Sequence, residues 1–391
     1  MKILYLNSEY NGVAYWRMFE PARWLNMSFK DVTVTYFPNE NYLYKPISEW
    51  ERLAKSHDLI VFGRVSTAES LATFCAVREW HGKPICVEMD DDWTCVDPKN
   101  ISYEAWKPGT SHRAAAHGQL READMFQVST LPLKRTMTGI YSNHNAWIAP
   151  NLIDIEQMGH LYRATKKIEK EPGKIRVGWA GGANHYGDFL IFLPAMKILA
   201  DKYPQIEFMF RGMKADYFVS EKDGSFQEGN KIKIQKACPI DLKRITVLDG
   251  VDPWKWNQAV AEMDLDIVIV PLTDSQFNRA KSNCRYLELS SLNVPGVYAN
   301  VYPYANTVTH GENGFLAATT EDWVNYVSQL VESEELRREI AKNAHDTIEE
   351  KWSFQNNVGI WKNNYEEMLN HADTTTFRSL LGNEEAECLT Q

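Results

Sequence analysis

The chain has 391 residues, 44% hydrophobic and 24% charged, which is too long for one ordinary core and ample for two of about 150–200 residues each. A formal net charge of −10 disfavours broad, non-specific attraction to polyanions, although a local basic groove is compatible with it. No stretch reaches about 18 apolar residues, and the N-terminal MKILYLNSEY has no charged segment leading into a long apolar one, so neither a membrane span nor a signal peptide is expected.

Six cysteines without CxxC or metal-ligand spacing fit a reducing cytoplasm, with most thiols expected to be buried. The 13 Trp and 18 Tyr exceed what packing usually requires, and such side chains also stack on sugars and bases.

In chain order, apolar, β-branched or aromatic runs predict strands over residues 2–7, 32–37, 58–63, 84–89 and 125–129. Between them, helical periodicity covers 14–25, 68–79 and 111–123, the last with Ser111 as its expected N-cap. The charged stretch 151–173, closed by Pro172 and Gly173, has no apolar stripe and reads as an interdomain connection. Strands then resume at 175–180, 206–210, 245–249, 265–271 and 294–300. Helices are expected over 187–202, 253–263 and 279–292, with two or three more between 320 and 371. Alternation of this kind implies parallel sheets with crossover helices. The fold class expected is α/β, with two Rossmann-like domains facing across a cleft. The divisions are an N-terminal domain 1–152, a linker 153–173 and a C-terminal domain 174–352. A helix over 353–375 is expected to pack back on the first domain, followed by a tail, 376–391.

In parallel sheets, ligands bind beyond the carboxyl ends of the strands. Candidate chemistry is therefore sought there. After the first strand, Gly12 lets the backbone pass close to a ligand, the next helix offers its N-terminus to an anion, and Arg17 lies one turn inside it. No GxGxxG is present, so the nicotinamide-type fingerprint is missing. In the second half, Gly181 and Gly182 free a loop of side chains ahead of Asn184, His185 and Asp188. Arg211 ends the strand IEFMF, where its forked donors suit a pyrophosphate. Lys281, Ser282, Asn283 and Glu288 follow the strand LDIVIVP and would face one crevice. The cation there suits phosphates and the carboxylate suits hydroxyls.

Glu88 and the adjacent Asp90, Asp91 and Asp92 end a strand of the first half. Three neighbouring carboxylates repel one another, so a special role or partner is expected for at least one. They read as a general base or acceptor-hydroxyl anchor, as a DxD metal site, or as a solvated loop. The metal reading is discounted because Lys281 and Arg211 can neutralise a diphosphate. His112 and His117, five residues apart on one helix, do not share a side for metal binding.

The stretch FNRAKSNCRYLELSSLNVPGVYANVYPYANTVTHGENGFL resembles the donor-site signature of two-domain GT-B glycosyltransferases. It is similar in particular to the retaining, glycogen-synthase-like (group 1) family and its phage-type members. The pieces MKILYLN…NGVAYWRMFEPARWL, EMDDDW, ADMFQVST, APNLID and VGWAGGANHYGDF agree, so the resemblance spans most of residues 1–355. It implies that Glu288 holds the donor ribose, that Lys281 and Arg211 contact the diphosphate with Ser282 and Asn283 beside them, and that Gly12, Gly181 and Gly182 are backbone-approach loops. Two departures stand out. The carboxylate pair of the family requires a Glu at position 280, where this chain has Ala280. The histidine often found after the fourth N-terminal strand is replaced by the Asp90–Asp92 run.

The activity implied is transfer of a sugar from a nucleoside-diphosphate sugar, UDP-glucose foremost, to a hydroxyl acceptor, with retention and without a metal. The acceptor would be a saccharide, a small molecule or, in the phage-type reading, a hydroxymethylated pyrimidine in DNA. For the DNA reading, Trp93, Trp106, Lys107, His112 and Arg113 would form a stacking and basic rim around a flipped base. An epimerase on the same scaffold and a non-catalytic sugar-nucleotide-binding module are the alternatives from other classes.

Overall fold

The computed structural model describes residues 1–7, 11–37, 47–98, 100–213 and 238–372. The expected tail 376–391, with Cys388, and the last residues of the helix expected over 353–375 lie outside the described residues.

Two six-stranded parallel sheets carry the fold. The first contains β1 (Lys2–Leu6), β2 (Thr33–Phe37), β3 (Leu59–Gly63), β4 (Cys86–Met89), β5 (Met125–Val128) and β6 (Ala146–Ile148), in the order β2-β1-β3-β4-β5-β6. The second contains β7 (Ile175–Ala180), β8 (Ile206–Arg211), β9 (Ile245–Leu248), β10 (Ile267–Val270), β11 (Gly296–Ala299) and β12 (Phe315–Ala317), in the order β12-β11-β10-β7-β8-β9. Strands β3, β4, β5, β10 and β11 are buried along their whole length. Helices cover both faces of a parallel sheet, so β3, β10 and β11 read as unbroken apolar runs, while β4 and β5 each carry one buried polar residue, Glu88 and Gln127. The edge strands β6 and β12 escape sequence reading because three residues are too few to display a period.

Each sheet is doubly wound. From β1 the chain steps out to β2 and then returns to β3 on the other side of β1, and β7 stands likewise between β8 and β10. The topological switch points therefore fall between β1 and β3 and between β7 and β10, where doubly wound sheets open a crevice for ligands.

Local chemistry sets the helix limits. Residues 12–28 are one helical run interrupted by a π turn, Tyr15–Phe19, which contains Arg17. Thr67 and Ser70 form a capping box ahead of Ala68–His81, and Gly82 closes that helix in the left-handed conformation (φ 65°). The cap of Ser111–Glu122 is Thr110, one residue before the expected Ser111. Its hydroxyl accepts from the Arg113 amide. The helix expected over 279–292 is two pieces, Gln276–Arg279 and Cys284–Ser290, with Lys281, Ser282 and Asn283 in the break.

The chain divides into two compact units. The first comprises residues 1–94, 105–151 and 357 onward; the second comprises 95–104 and 152–356. Residues 153–173, expected as a connection, are instead tied into the second unit. Asp154 caps a helix, Ile155–Ala164, whose Ile155 and Met158 are buried. The charges beyond it have partners: Lys170 reaches Asp266 at 2.9 Å, and Arg176 donates to the carbonyls of Ile168 and Glu169. In the first unit, the final helix (residues 359–372) packs on the sheet. Trp361 Nε1 donates to the Pro150 carbonyl at 3.0 Å, and the Tyr365 and Tyr5 hydroxyls are hydrogen-bonded. Among the described residues no helix is long and apolar enough to cross a membrane. Of the five described cysteines, Cys86 and Cys238 are buried, Cys75 is exposed, and Cys95 and Cys284 are half-buried.

Candidate active site

In the second unit, the β7–β10 switch point gathers most of the expected donor-side residues. Gly181 and Gly182 follow β7. A Cβ on Gly181 would lie 2.3 Å from the Trp179 ring, so its bareness is already required by packing. Gly212, directly after Arg211, takes φ 84°, and a Cβ there would stand 2.0 Å from the Gly181 carbonyl oxygen. The loops after β7 and β8 thus touch backbone to backbone, which only glycine permits.

His185 Nδ1 and Asp188 Oδ2 are 2.9 Å apart. The other oxygen of Asp188 accepts from the Thr273 amide and hydroxyl at 2.9 and 2.6 Å and from Asn278 Nδ2 at 2.8 Å, which bridges the switch point from β7 to the loop after β10. Burial opposes ionisation of Asp188, but the hydrogen bonds from His185 and Thr273 hold its carboxyl below the usual range. Burial, joined by the positive fields of Lys281 and Arg285, lowers the pKa of His185 against the pull of Asp188.

Glu288, 1% exposed, is paired with Arg285 one turn earlier in the same helix. The Arg285 guanidinium lies 5.2 Å from the centre of the Trp256 ring. Lys281 Nζ stands 4.3 Å over Phe277, Ser282 Oγ is 3.2 Å from Cys284 Sγ, and Asn283 Nδ2 reaches Thr307 Oγ1 at 3.3 Å. Arg211 is buried at the end of β8 and directed to Glu262 and to the Asp249 carbonyl, both at 3.4 Å. The Gly-x-x-Gly turn closes on itself, with the Gly311 amide donating to the Gly314 carbonyl at 2.8 Å. Arg285 was missed by sequence reading, although its i, i+3 spacing to Glu288 was there to be seen.

In the first unit, the β1–β3 switch point carries a small recess, about the size of one water, its polar lining formed by Asn7, Arg17, Arg64, Glu88 and Asp90. Arg17, 1% exposed, donates through Nε to Glu88 Oε1 at 2.7 Å and through Nη1 to the Ala149 carbonyl and Asn151 Oδ1, both at 2.7 Å. Its Nη2 is buried without a hydrogen-bond partner. The second oxygen of Glu88 accepts from Gln127. Gly12 starts the helix beside Asn11, whose side chain caps the Ala14 amide; a Cβ on Gly12 would meet nothing within 4 Å.

The acidic run is divided by the structure. Asp90 lines the recess and Asp91 is half-buried. Asp92 is fully buried and bound to the Thr94 amide and hydroxyl, a capping role. The aromatic rim is not available as a stacking platform. Trp93 is 1% exposed, with its ring 5.3 Å from Trp106 and 4.8 Å from His117. Arg113 donates to the Trp106 carbonyl, and His117 Nδ1 lies 2.6 Å from the Tyr141 hydroxyl.

Burial, opposed by the Arg17 guanidinium, pushes the Glu88 carboxyl up from 4.5 to about 7. Below pH 4.5 it is protonated in both the folded and unfolded chain, so its contribution to stability is complete there. As the pH rises through 7 the unfolded chain holds its charge more easily and that contribution, about 3 kcal/mol, is lost. Glu88→Gln is therefore expected to flatten the melting temperature against pH between those limits. A profile as steep as that of the parent would show that another group titrates.

No protein-family model and no curated protein matches the chain in sequence. Solved structures match over nearly its whole length. Anabaena HepE, in complex with UDP-glucose, is 16% identical over 94% of this chain and 99% of its own, with a TM-score of 0.61. A glycosyltransferase from Rickettsia africae is 12% identical, over 95% and 98% of the two chains, at 0.59. Sucrose-phosphate synthase from Thermosynechococcus elongatus is 12% identical, over 98% and 100%, at 0.58. With its two doubly wound parallel sheets, the chain has the α/β fold of the GT-B glycosyltransferases.

Proposed function

We propose that the protein is a glycosyltransferase that moves a sugar from a nucleoside-diphosphate sugar to a hydroxyl acceptor. The observation that carries this reading is the β7–β10 switch point, where a buried carboxylate, Glu288, is paired with Arg285, and where Lys281 and Arg285 both bear electrostatically on His185. A carboxylate accepts hydrogen bonds from a pair of ribose hydroxyls, and cations stabilise the charge that grows on a departing phosphate. Neutral His185, whose Nδ1–H donates to Asp188, leaves Nε2 as a hydrogen-bond acceptor without adding a third charge. Lys281 and Arg285 supply that stabilisation in place of a metal ion, and Gly212 lets the loop backbones approach.

UDP-glucose is the donor proposed, in keeping with the nucleotide sugar bound by HepE. Retention, implied by the family resemblance, is the stereochemistry proposed. The burial of Trp93 and Trp106 gives no support to a flipped-base acceptor.

The test is nucleoside-diphosphate release from a panel of sugar nucleotides, with saccharide acceptors, in chelator and then with magnesium. UDP release from UDP-glucose at the same rate in both conditions is expected. A protein that neither bound nor turned over any donor would end the glycosyltransferase reading. Turnover only with magnesium would overturn the metal-free one.

A further inference from the structure

We propose that His185 reads the transferred sugar: its Nε2 accepts a hydrogen bond from a hydroxyl of the donor's sugar ring, and Asp188 is the positioning residue that keeps Nε2 unprotonated. This role rests on the glycosyltransferase reading and deepens it at the same site.

The imidazole is fixed through one nitrogen. His185 and Asp188 stand three residues apart in the short helical stretch after β7, so one face carries both. Asp188 Oδ2 lies 2.9 Å from Nδ1. The other carboxyl oxygen takes three donors from beyond β10: the Thr273 amide at 2.9 Å, its hydroxyl at 2.6 Å and Asn278 Nδ2 at 2.8 Å. A carboxyl surrounded by donors is held ionised, and an ionised carboxyl only accepts. The proton shared by the pair therefore sits on Nδ1. The neutral ring then presents a lone pair at Nε2. Among the described residues Nε2 has no hydrogen-bond partner, and the side chain is 19% exposed, so the lone pair is left for a ligand.

The chemistry of the donor then selects the partner. Phosphate oxygens only accept, so a lone pair gains nothing from a diphosphate. Glu288 is the group proposed for the ribose hydroxyls. Lys281 and Arg285, proposed to meet the diphosphate, both bear electrostatically on His185, which puts the ring at the phosphate end of the nucleotide, away from the base. The hydroxyl-bearing group joined to that end is the sugar. An uncharged acceptor also suits the place: a carboxylate there would pair with the two cations and weaken their hold on the phosphates.

Isothermal titration of the full chain with UDP, UDP-glucose and a set of monodeoxy analogues, each lacking one sugar hydroxyl, tests this. His185→Phe, which keeps a ring against Trp179, is expected to weaken UDP-glucose about tenfold, the loss of one hydrogen bond, and to leave UDP unchanged. His185→Gln, whose amide oxygen accepts, should recover part of that loss. One deoxy analogue should bind the parent as weakly as UDP-glucose binds His185→Phe, and should lose nothing further in that variant. Nitrogen NMR of histidine-labelled protein without ligand is expected to show the Nδ1–H tautomer at His185, and Asp188→Asn should populate the Nε2–H form. Equal losses for UDP and UDP-glucose in His185→Phe, no loss for either, or a parent ring protonated on Nε2 alone would each overturn this role while leaving donor binding intact. A parent that binds no nucleotide at all would instead end the glycosyltransferase reading, and this role with it.

Discussion

Glu288→Ala is expected to weaken UDP-glucose binding by a hundredfold or more, the largest functional loss of any single change in the second unit. A carboxylate that accepts from two ribose hydroxyls makes two charge-assisted hydrogen bonds, each contributing about 1.5–3 kcal/mol, and about 1.4 kcal/mol corresponds to a factor of ten. The same substitution leaves the Arg285 guanidinium without its partner beside Trp256, so part of the loss could come from local rearrangement. Glu288→Gln keeps an amide oxygen for Arg285 to donate to. Isothermal titration of the parent, Glu288→Ala and Glu288→Gln, alongside their thermal melts, separates the two effects. If Glu288→Ala binds UDP-glucose like the parent, Glu288 does not read the donor.

The second large effect is on stability. Arg17→Met is expected to cost roughly 3–5 kcal/mol, because Glu88 is left buried without its counter-charge and the Ala149 carbonyl and Asn151 lose a donor. For a unit of this size that lowers the melting temperature by on the order of 10 °C. Glu88 then has only the Gln127 hydrogen bond to set against the burial that raises its pKa, so the loss should be greatest at alkaline pH. Adding Glu88→Gln should recover part of the stability, and the recovery should grow with pH. Calorimetry of the double-mutant cycle at pH 5 and pH 8 measures this directly. Additive losses at both pH values would show that the pair is not coupled through charge.

Much of the fold was legible from the chain. Ten of the twelve strands were placed within a residue or two at each end, because strands buried on both faces leave long apolar runs. The N-cap Thr67 bonds with Ser70 at its own helix start, and such local signals are the kind a sequence can show. The connection at 153–173 misled because its charges look solvated. The partner of Lys170, Asp266, lies 96 residues away, and the Ile168 and Glu169 carbonyls accept from Arg176, a buried arginine that sequence cannot orient.

Of the residues proposed to read the donor, Lys281, Asn283 and Glu288 stand close in the chain, in the break after Gln276–Arg279 and in the short helix that follows. Arg285 was overlooked because its charge reads as a surface residue until burial gives it a partner. The acidic run shows the opposite failure. Asp90, Asp91 and Asp92 look equivalent in sequence, yet Asp92 turns inward to cap Thr94 while Asp90 lines the recess.

The sequence by itself determined the elements, their alternation and the residues at the strand ends, since these depend on periodicity and short-range hydrogen bonding. Tertiary structure alone decided which strand ends meet at each switch point. It alone buried Glu88 against Arg17, brought Asn7 over Gly63, and packed Trp93 and Trp106 away from solvent. Burial and long-range pairing set both the charge state and the accessibility of a side chain, and neither is encoded in its neighbours along the chain.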